Sequence, residues 1–221
     1  MLSKIIKTAN DSPSKEFTFE IGSNSDLILE NTITNNLVWT IENFAKSPHG
    51  FLTFPTKFDM IDPLLNINNG REKVIIRVSV NPEKIINVAE FGTSRLNARI
   101  RTIIKLKNAG YKIGIIIAPV IFIEDWKTLY HELIERLADE LSEDVKKDIF
   151  FEVIFMTYSY IHNAINSEAY PNAVTLYNPD IMRVRGRGMY AYKNELRNEG
   201  EEFLKAELEK YFPENKILYF S

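Results

Sequence analysis

Three short apolar runs constrain this chain more than any other feature. Residues 73–80 (KVIIRVSV), 111–117 (YKIGIII) and 149–155 (IFFEVIF) are β-branched or aromatic at consecutive rather than alternate positions. A strand of that kind is buried on both faces, and it needs helices on both sides of a mostly parallel sheet. Segments of helical period separate the runs. Leu96 to Ala109 places Ile100, Ile103 and Ile104 on one face, with Gly110 where a helix C-terminus favours glycine. Asp125 stands as an N-cap before a helix carrying Trp126, Leu129, Tyr130, Leu133 and Leu137. Residues 16–21 (EFTFEI) alternate as a half-buried strand, residues 51–54 (FLTF) form a short one, and residues 216–220 (KILYF) close the chain as another. The spacing of Ile33, Leu37, Ile41 and Phe44 predicts one helix over 32–45. Residues 158–166 are expected to form a short helix and residues 192–211 a charged amphipathic one. No internal repeat or linker-like tract divides the 221 residues. They are expected to form a single domain, 1–221, in which 181–221 supply a basic loop followed by a C-terminal helix and strand.

Composition removes several function classes. Cysteine is absent, so the chain itself offers no disulfide, no thiolate nucleophile and no cysteine ligand for zinc or an iron–sulfur cluster. With 27 basic against 30 acidic residues the net charge is −3, so a nucleic-acid contact has to be a local basic face. No apolar run approaches the ~20 residues of a membrane span. The opening MLSKIIKTANDSPSKE has no signal-peptide core, and the expected location is the cytoplasm.

Parallel α/β sheets carry their sites at the C-terminal ends of the strands. Those ends here are Gly22-Ser23-Asn24-Ser25-Asp26, Pro55-Thr56-Lys57, Ser79-Val80-Asn81 and Ala118-Pro119. Each is polar, small or cationic directly after an apolar strand. Any one of them is accounted for by an ordinary strand-to-helix turn, with Asp26 as a helix cap. Four at equivalent places suggest a shared mouth. Lys57 could aim its ammonium at a carboxylate or phosphate there; a solvated loop lysine explains it equally well on sequence alone. His49, His131 and His162 lack metal spacing and are expected at the surface, and no GxGxxG, GxxxxGK[ST] or GxSxG occurs. Residues 183–192 hold three arginines, two glycines and two tyrosines. That is the make-up of a nucleic-acid contact loop, or of a solvated basic turn balancing the acidic helix after it.

Several segments carry a resemblance. The ending 209–220 (EKYFPENKILYF), Asn108-Ala109-Gly110-Tyr111 through Ile117-Ala118-Pro119-Val120, Phe91-Gly92-Thr93-Ser94 and Pro55-Thr56-Lys57-Phe58 resemble the spore photoproduct lyase family. These are radical S-adenosylmethionine (SAM) enzymes that repair a thymine dimer of spore DNA. The resemblance is collinear and covers the later two-thirds of the family's chain. It implies an α/β fold, an incomplete radical SAM-type parallel β/α (TIM-like) barrel lacking its first strand. It also implies SAM as cofactor and DNA as partner. Ser25, Lys57, Ser79 and Ala118 match the family's SAM-contacting positions, and a lesion-binding arginine falls at Arg185, with Arg187 as the alternative.

Two departures accompany the match. The family's CxxxCxxC motif, which ligates a [4Fe-4S] cluster, has no counterpart here, so this chain cannot ligate that cluster. Its catalytic cysteine aligns with Ser23, whose O–H bond is far too strong to replace a thiol as hydrogen donor. The chain is therefore expected to be a fragment or split half, inactive alone, and to self-associate or pair with an N-terminal companion carrying the cysteines. The alternative is a non-catalytic α/β module that binds a nucleotide or nucleic acid.

Overall fold

The computed structural model describes residues 2–12 and 16–221. In chain order the elements are α1 (Leu2–Asp11), β1 (Thr18–Glu20), α2 (Leu27–Thr34), α3 (Asn36–Phe44), β2 (Phe51–Thr56), α4 (Asp62–Leu65), β3 (Val74–Val80), α5 (Glu83–Ala89), α6 (Leu96–Asn108) and β4 (Lys112–Val120). There follow α7 (Trp126–Glu140), α8 (Glu143–Lys146), β5 (Phe150–Phe155), β6 (Thr157–Ser159), α9 (Tyr160–Ala169), β7 (Met182–Gly186), β8 (Met189–Tyr192), α10 (Asn194–Tyr211) and β9 (Lys216–Phe220).

Six strands form one parallel sheet in the order β1-β2-β3-β4-β5-β9. Each crossover steps to the next neighbour in the same direction, so the sheet winds one way and curls into a half-barrel instead of reversing at a switch point. Ile76, Val78, Ile113, Ile115, Phe151 and Val153 are sealed from solvent on these strands, under Ile100, Ile103, Tyr130 and Leu137 of the covering helices.

Polar side chains are buried on the sheet as well. Arg77, in the middle of β3, reaches Glu20 of β1 at 3.0 Å and Glu152 of β5 at 3.3 Å. Tyr219 of β9 donates to the same Glu152 oxygen at 3.0 Å. One guanidinium thus draws together strands two places to either side of its own.

The expected single helix over 32–45 is two. Asn35 adopts a left-handed φ of 53°, which asparagine tolerates better than most residues. Asn31, on the helix before the break, caps the one after it by accepting from the backbone N–H groups of Leu37 and Val38. The break leaves Ile33 87% exposed instead of buried beside Leu37, Ile41 and Phe44. Asp125 does precede α7, but with φ 61° and no side-chain bond to the helix. Asp26, by contrast, caps α2 through Ile28 and Leu29. Gly110, at φ +93°, ends α6 in the conformation glycine permits.

The basic stretch is an ordered antiparallel unit rather than an irregular loop. Strands β6, β8 and β7 pair in that order, and Gly186, Arg187 and Gly188 turn the hairpin with φ of +103°, +53° and +71°. Three successive left-handed residues explain the two glycines. Tyr192 anchors the hairpin base by accepting from the backbone N–H of Phe122 at 3.1 Å, with the two rings 4.5 Å apart.

Candidate functional site

Ser25, Lys57, Ser79 and Ala118 line one cavity of about 350 Å³ at the C-terminal ends of β1 to β4. Ile116, Ile154 and Pro55 give it an apolar side. Parallel register makes this possible: Thr56 pairs with Val78, and Ser79 with Ile116, so equivalent strand ends come level. Asp26 ties two of the ends together, accepting from Thr56 Oγ1 at 2.9 Å and from the Lys57 N–H at 2.8 Å. Ser23 sits on the exposed turn before α2 and is not among the lining residues.

The Ala118 carbonyl accepts from Lys57 Nζ at 3.1 Å and from Ser79 Oγ at 3.0 Å, so both of its lone pairs are engaged. Lys57 Nζ also lies 2.7 Å from a carboxylate, Glu90, whose side chain is 3% exposed. Behind Glu90 stands Arg99, fully buried, at 2.6 Å. The other donors of Arg99 reach Ser79 O, Thr93 Oγ1 and Ser94 O. Asn81 donates to Glu90 and to the Pro119 carbonyl, and Tyr130 donates to Asn81 while accepting from the Ile121 N–H. Burial lowers the Lys57 ammonium below its usual pKa despite Glu90. It also pushes the Tyr130 phenol well above its ordinary value.

Glu90 and Arg99 escaped the sequence reading, although Arg99 carried a signal. It falls three residues after Leu96 and four before Ile103, on the apolar stripe of α6, where an arginine has to be buried and therefore paired. Glu90 offered no such cue, because it lies just past the short helix α5.

A second cavity, of about 520 Å³, adjoins the first at Lys57 and Thr93. Its far wall is α9, with His162, Asn163, Asn166 and Ser167, and the stacked pair Phe91 and Tyr170, 5.0 Å apart. Arg185 and Arg187 lie elsewhere, exposed on the hairpin. Tyr158, which also lines the larger cavity, forms a cluster with Tyr160, Tyr177 and Tyr190 with ring centroids between 4.9 and 6.3 Å apart. His162 is exposed as expected, whereas His131 is half-buried and bonds Glu207 of α10 at 2.6 Å. Among the described residues no three of His, Cys, Asp and Glu gather in a way that could hold a metal, and no helix is long and apolar enough to cross a membrane.

A sequence profile described as spore photoproduct lyase matches residues 2–221. Spore photoproduct lyase of Bacillus subtilis (strain 168) is 34% identical over 212 residues, covering 93% of this chain and 61% of the relative. That of Geobacillus sp. (strain Y412MC61) is 30% identical over 208 residues, covering 92% and 60%. Spore photoproduct lyase complexed with dinucleoside spore photoproduct superposes at a TM-score of 0.90 and 28% identity, over 100% of this chain and 66% of that one. A doubly mutated form with bound AdoMet and dinucleoside spore photoproduct gives the same TM-score, identity and coverage. The chain spans about three-fifths of the length of the curated relatives it matches. With the profile running along the described chain and the half-barrel shared in full, the chain belongs to the spore photoproduct lyase family.

Proposed function

We propose that this chain supplies the SAM-contacting wall and a DNA-facing hairpin of a spore photoproduct lyase-type repair protein. The observation that carries the proposal is the meeting of Ser25, Lys57, Ser79 and Ala118 on one cavity. The cavity offers a cation for a carboxylate, hydroxyls for polar groups and the apolar flank of Ile116 and Ile154 for a ring. Bound there, SAM would supply a sulfonium that can be opened reductively to start radical chemistry. The chain's own part is to bind and orient: Lys57 takes the carboxylate, and Ser25 and Ser79 offer hydroxyls. The adjoining larger cavity has room and amide, hydroxyl and aromatic walls for the bases of a dinucleotide lesion. Arg185 and Arg187 would hold phosphates at the hairpin.

The iron–sulfur cluster of the family does not fit these residues. There is no cysteine and no alternative ligand group among the described residues, so cluster ligands, where the reaction uses them, come from outside these 221 residues. The same absence favours a second reading, a nucleotide- or nucleic-acid-binding module without radical chemistry. Calorimetry with SAM separates the two. Wild type should bind and Lys57→Ala should bind at least tenfold more weakly, whereas no binding by either protein supports the second reading. Equal binding by both removes Lys57 from the site.

A further inference from the structure

A lysine ammonium sits on a flexible four-carbon stem, so its own backbone does not place it on a cavity wall. Here two acceptors hold Lys57 on the wall shared by both cavities: the Ala118 carbonyl at 3.1 Å and Glu90 at 2.7 Å. Glu90 cannot stay buried and charged without a counter-charge. Arg99 supplies it from the first turn of α6, and the same guanidinium grips the backbone of Ser79 and Ser94. One buried cation therefore links the end of β3, the segment after α5 and, through Glu90, the ammonium that follows β2.

We propose that Glu90 and Arg99 are positioning residues for Lys57, holding its ammonium at the junction of the two cavities to meet the carboxylate of an amino-acid-type ligand. The proposal rests on the assignment of the Lys57 cavity made above. The charged groups facing Lys57 are Glu90 and Arg99 from the α5–α6 side and Asp26 from the start of α2. Burial weakens Lys57's hold on its proton and Glu90 is the main counterweight; Arg99 weakens it further, and Asp26 supports it. Removing the Glu90 charge at constant shape should leave Lys57 both less fixed and more often neutral.

Competitive acylation with acetic anhydride, read by mass spectrometry on the full chain, reports the free amine at Lys57 without any ligand. In Glu90→Gln, Lys57 should be labelled several-fold faster than in wild type near pH 8, because the neighbouring carboxylate no longer favours the protonated amine. The exposed Lys105 and Lys205 serve as internal references at unchanged rates. SAM affinity of the variant should fall about tenfold, and it should weaken at lower pH than that of wild type as the Lys57 ammonium loses its proton. Should Glu90→Gln not fold, Glu90→Asp reads the same quantity. It keeps a charge for Arg99 but is a methylene too short to hold both cations, and Lys57 labelling should rise a few-fold. Wild-type labelling of Lys57 in whichever variant folds overturns the proposal. Equal SAM binding by wild type and Lys57→Ala overturns the cavity assignment alone, because the labelling result stands without it.

Discussion

Glu90 and Arg99 meet at 2.6 Å with side chains 3% and 0% exposed, beneath the wall on which Lys57 stands. Arg99 lines neither of the two cavities, while Glu90 lines the larger. The pair is the buried support of a site lined by the strand-end residues Ser25, Lys57, Ser79 and Ala118.

Breaking that pair from one side should be severe. Arg99→Met leaves a buried carboxylate shared with Lys57 and is expected to cost about 3–5 kcal/mol. Glu90→Gln combined with Arg99→Met should cost clearly less than the sum of the two singles. Urea unfolding of the four proteins measures this, and costs that add within about 0.5 kcal/mol would show the two residues to be uncoupled.

Acid should erode the same support. Burial alone would raise the Glu90 carboxyl, but Lys57 and Arg99 outweigh it and hold it below its ordinary 4.5. The unfolded chain therefore takes that proton first as pH falls. Glu90's contribution is complete above about pH 4.5 and is lost as pH drops through the lowered folded value. The melting temperature of wild type should then approach that of Glu90→Gln across that window. Curves that stay parallel there would mean that Glu90 does not titrate with folding.

The hairpin arginines should show themselves through salt. Arg185→Ala combined with Arg187→Gly, glycine because position 187 has φ +53°, should weaken DNA binding. It should also reduce the slope of log affinity against log salt by about two, one for each phosphate no longer neutralised. An unchanged slope would make this a solvated basic turn.

The edge of the half-barrel carries a fourth expectation. Among the described residues β1 pairs with β2 alone, and Leu29, Ile33 and Trp39 nearby in sequence are exposed. Open strand edges and apolar surface recruit partners, so the isolated chain should self-associate in a concentration-dependent manner. Sedimentation as a compact, stable monomer across the micromolar range would count against it.

How much of this was legible in the chain follows from the distance over which each feature is encoded. The doubly buried runs at β3, β4 and β5 imposed a parallel sheet. The three-four spacing in Leu96–Asn108 and Trp126–Glu140 set those helices to within a residue or two, because burial on one face is a local pattern. The four strand ends could also be picked out, since in-register parallel strands bring their ends level wherever the helices cross; the choice of Ser25, Lys57, Ser79 and Ala118 among their residues came from the family resemblance. The break at Asn35 was less accessible: the apolar spacing of Ile33 continues that of Leu37, and only the cap from Asn31 shows that the helix restarts. The turn at Gly186-Arg187-Gly188 was visible as glycine and charge, but not as a paired hairpin.

Which polar groups meet was decided by the tertiary structure alone. Arg77 finds Glu20 and Glu152 because the sheet curls, and Glu90 finds both Lys57 and Arg99 because two crossovers return to the same strand ends. Periodicity states which face of an element is buried. It carries no term for a pairing between residues on separate crossovers, and a buried charge takes whichever partner the folded chain brings within reach.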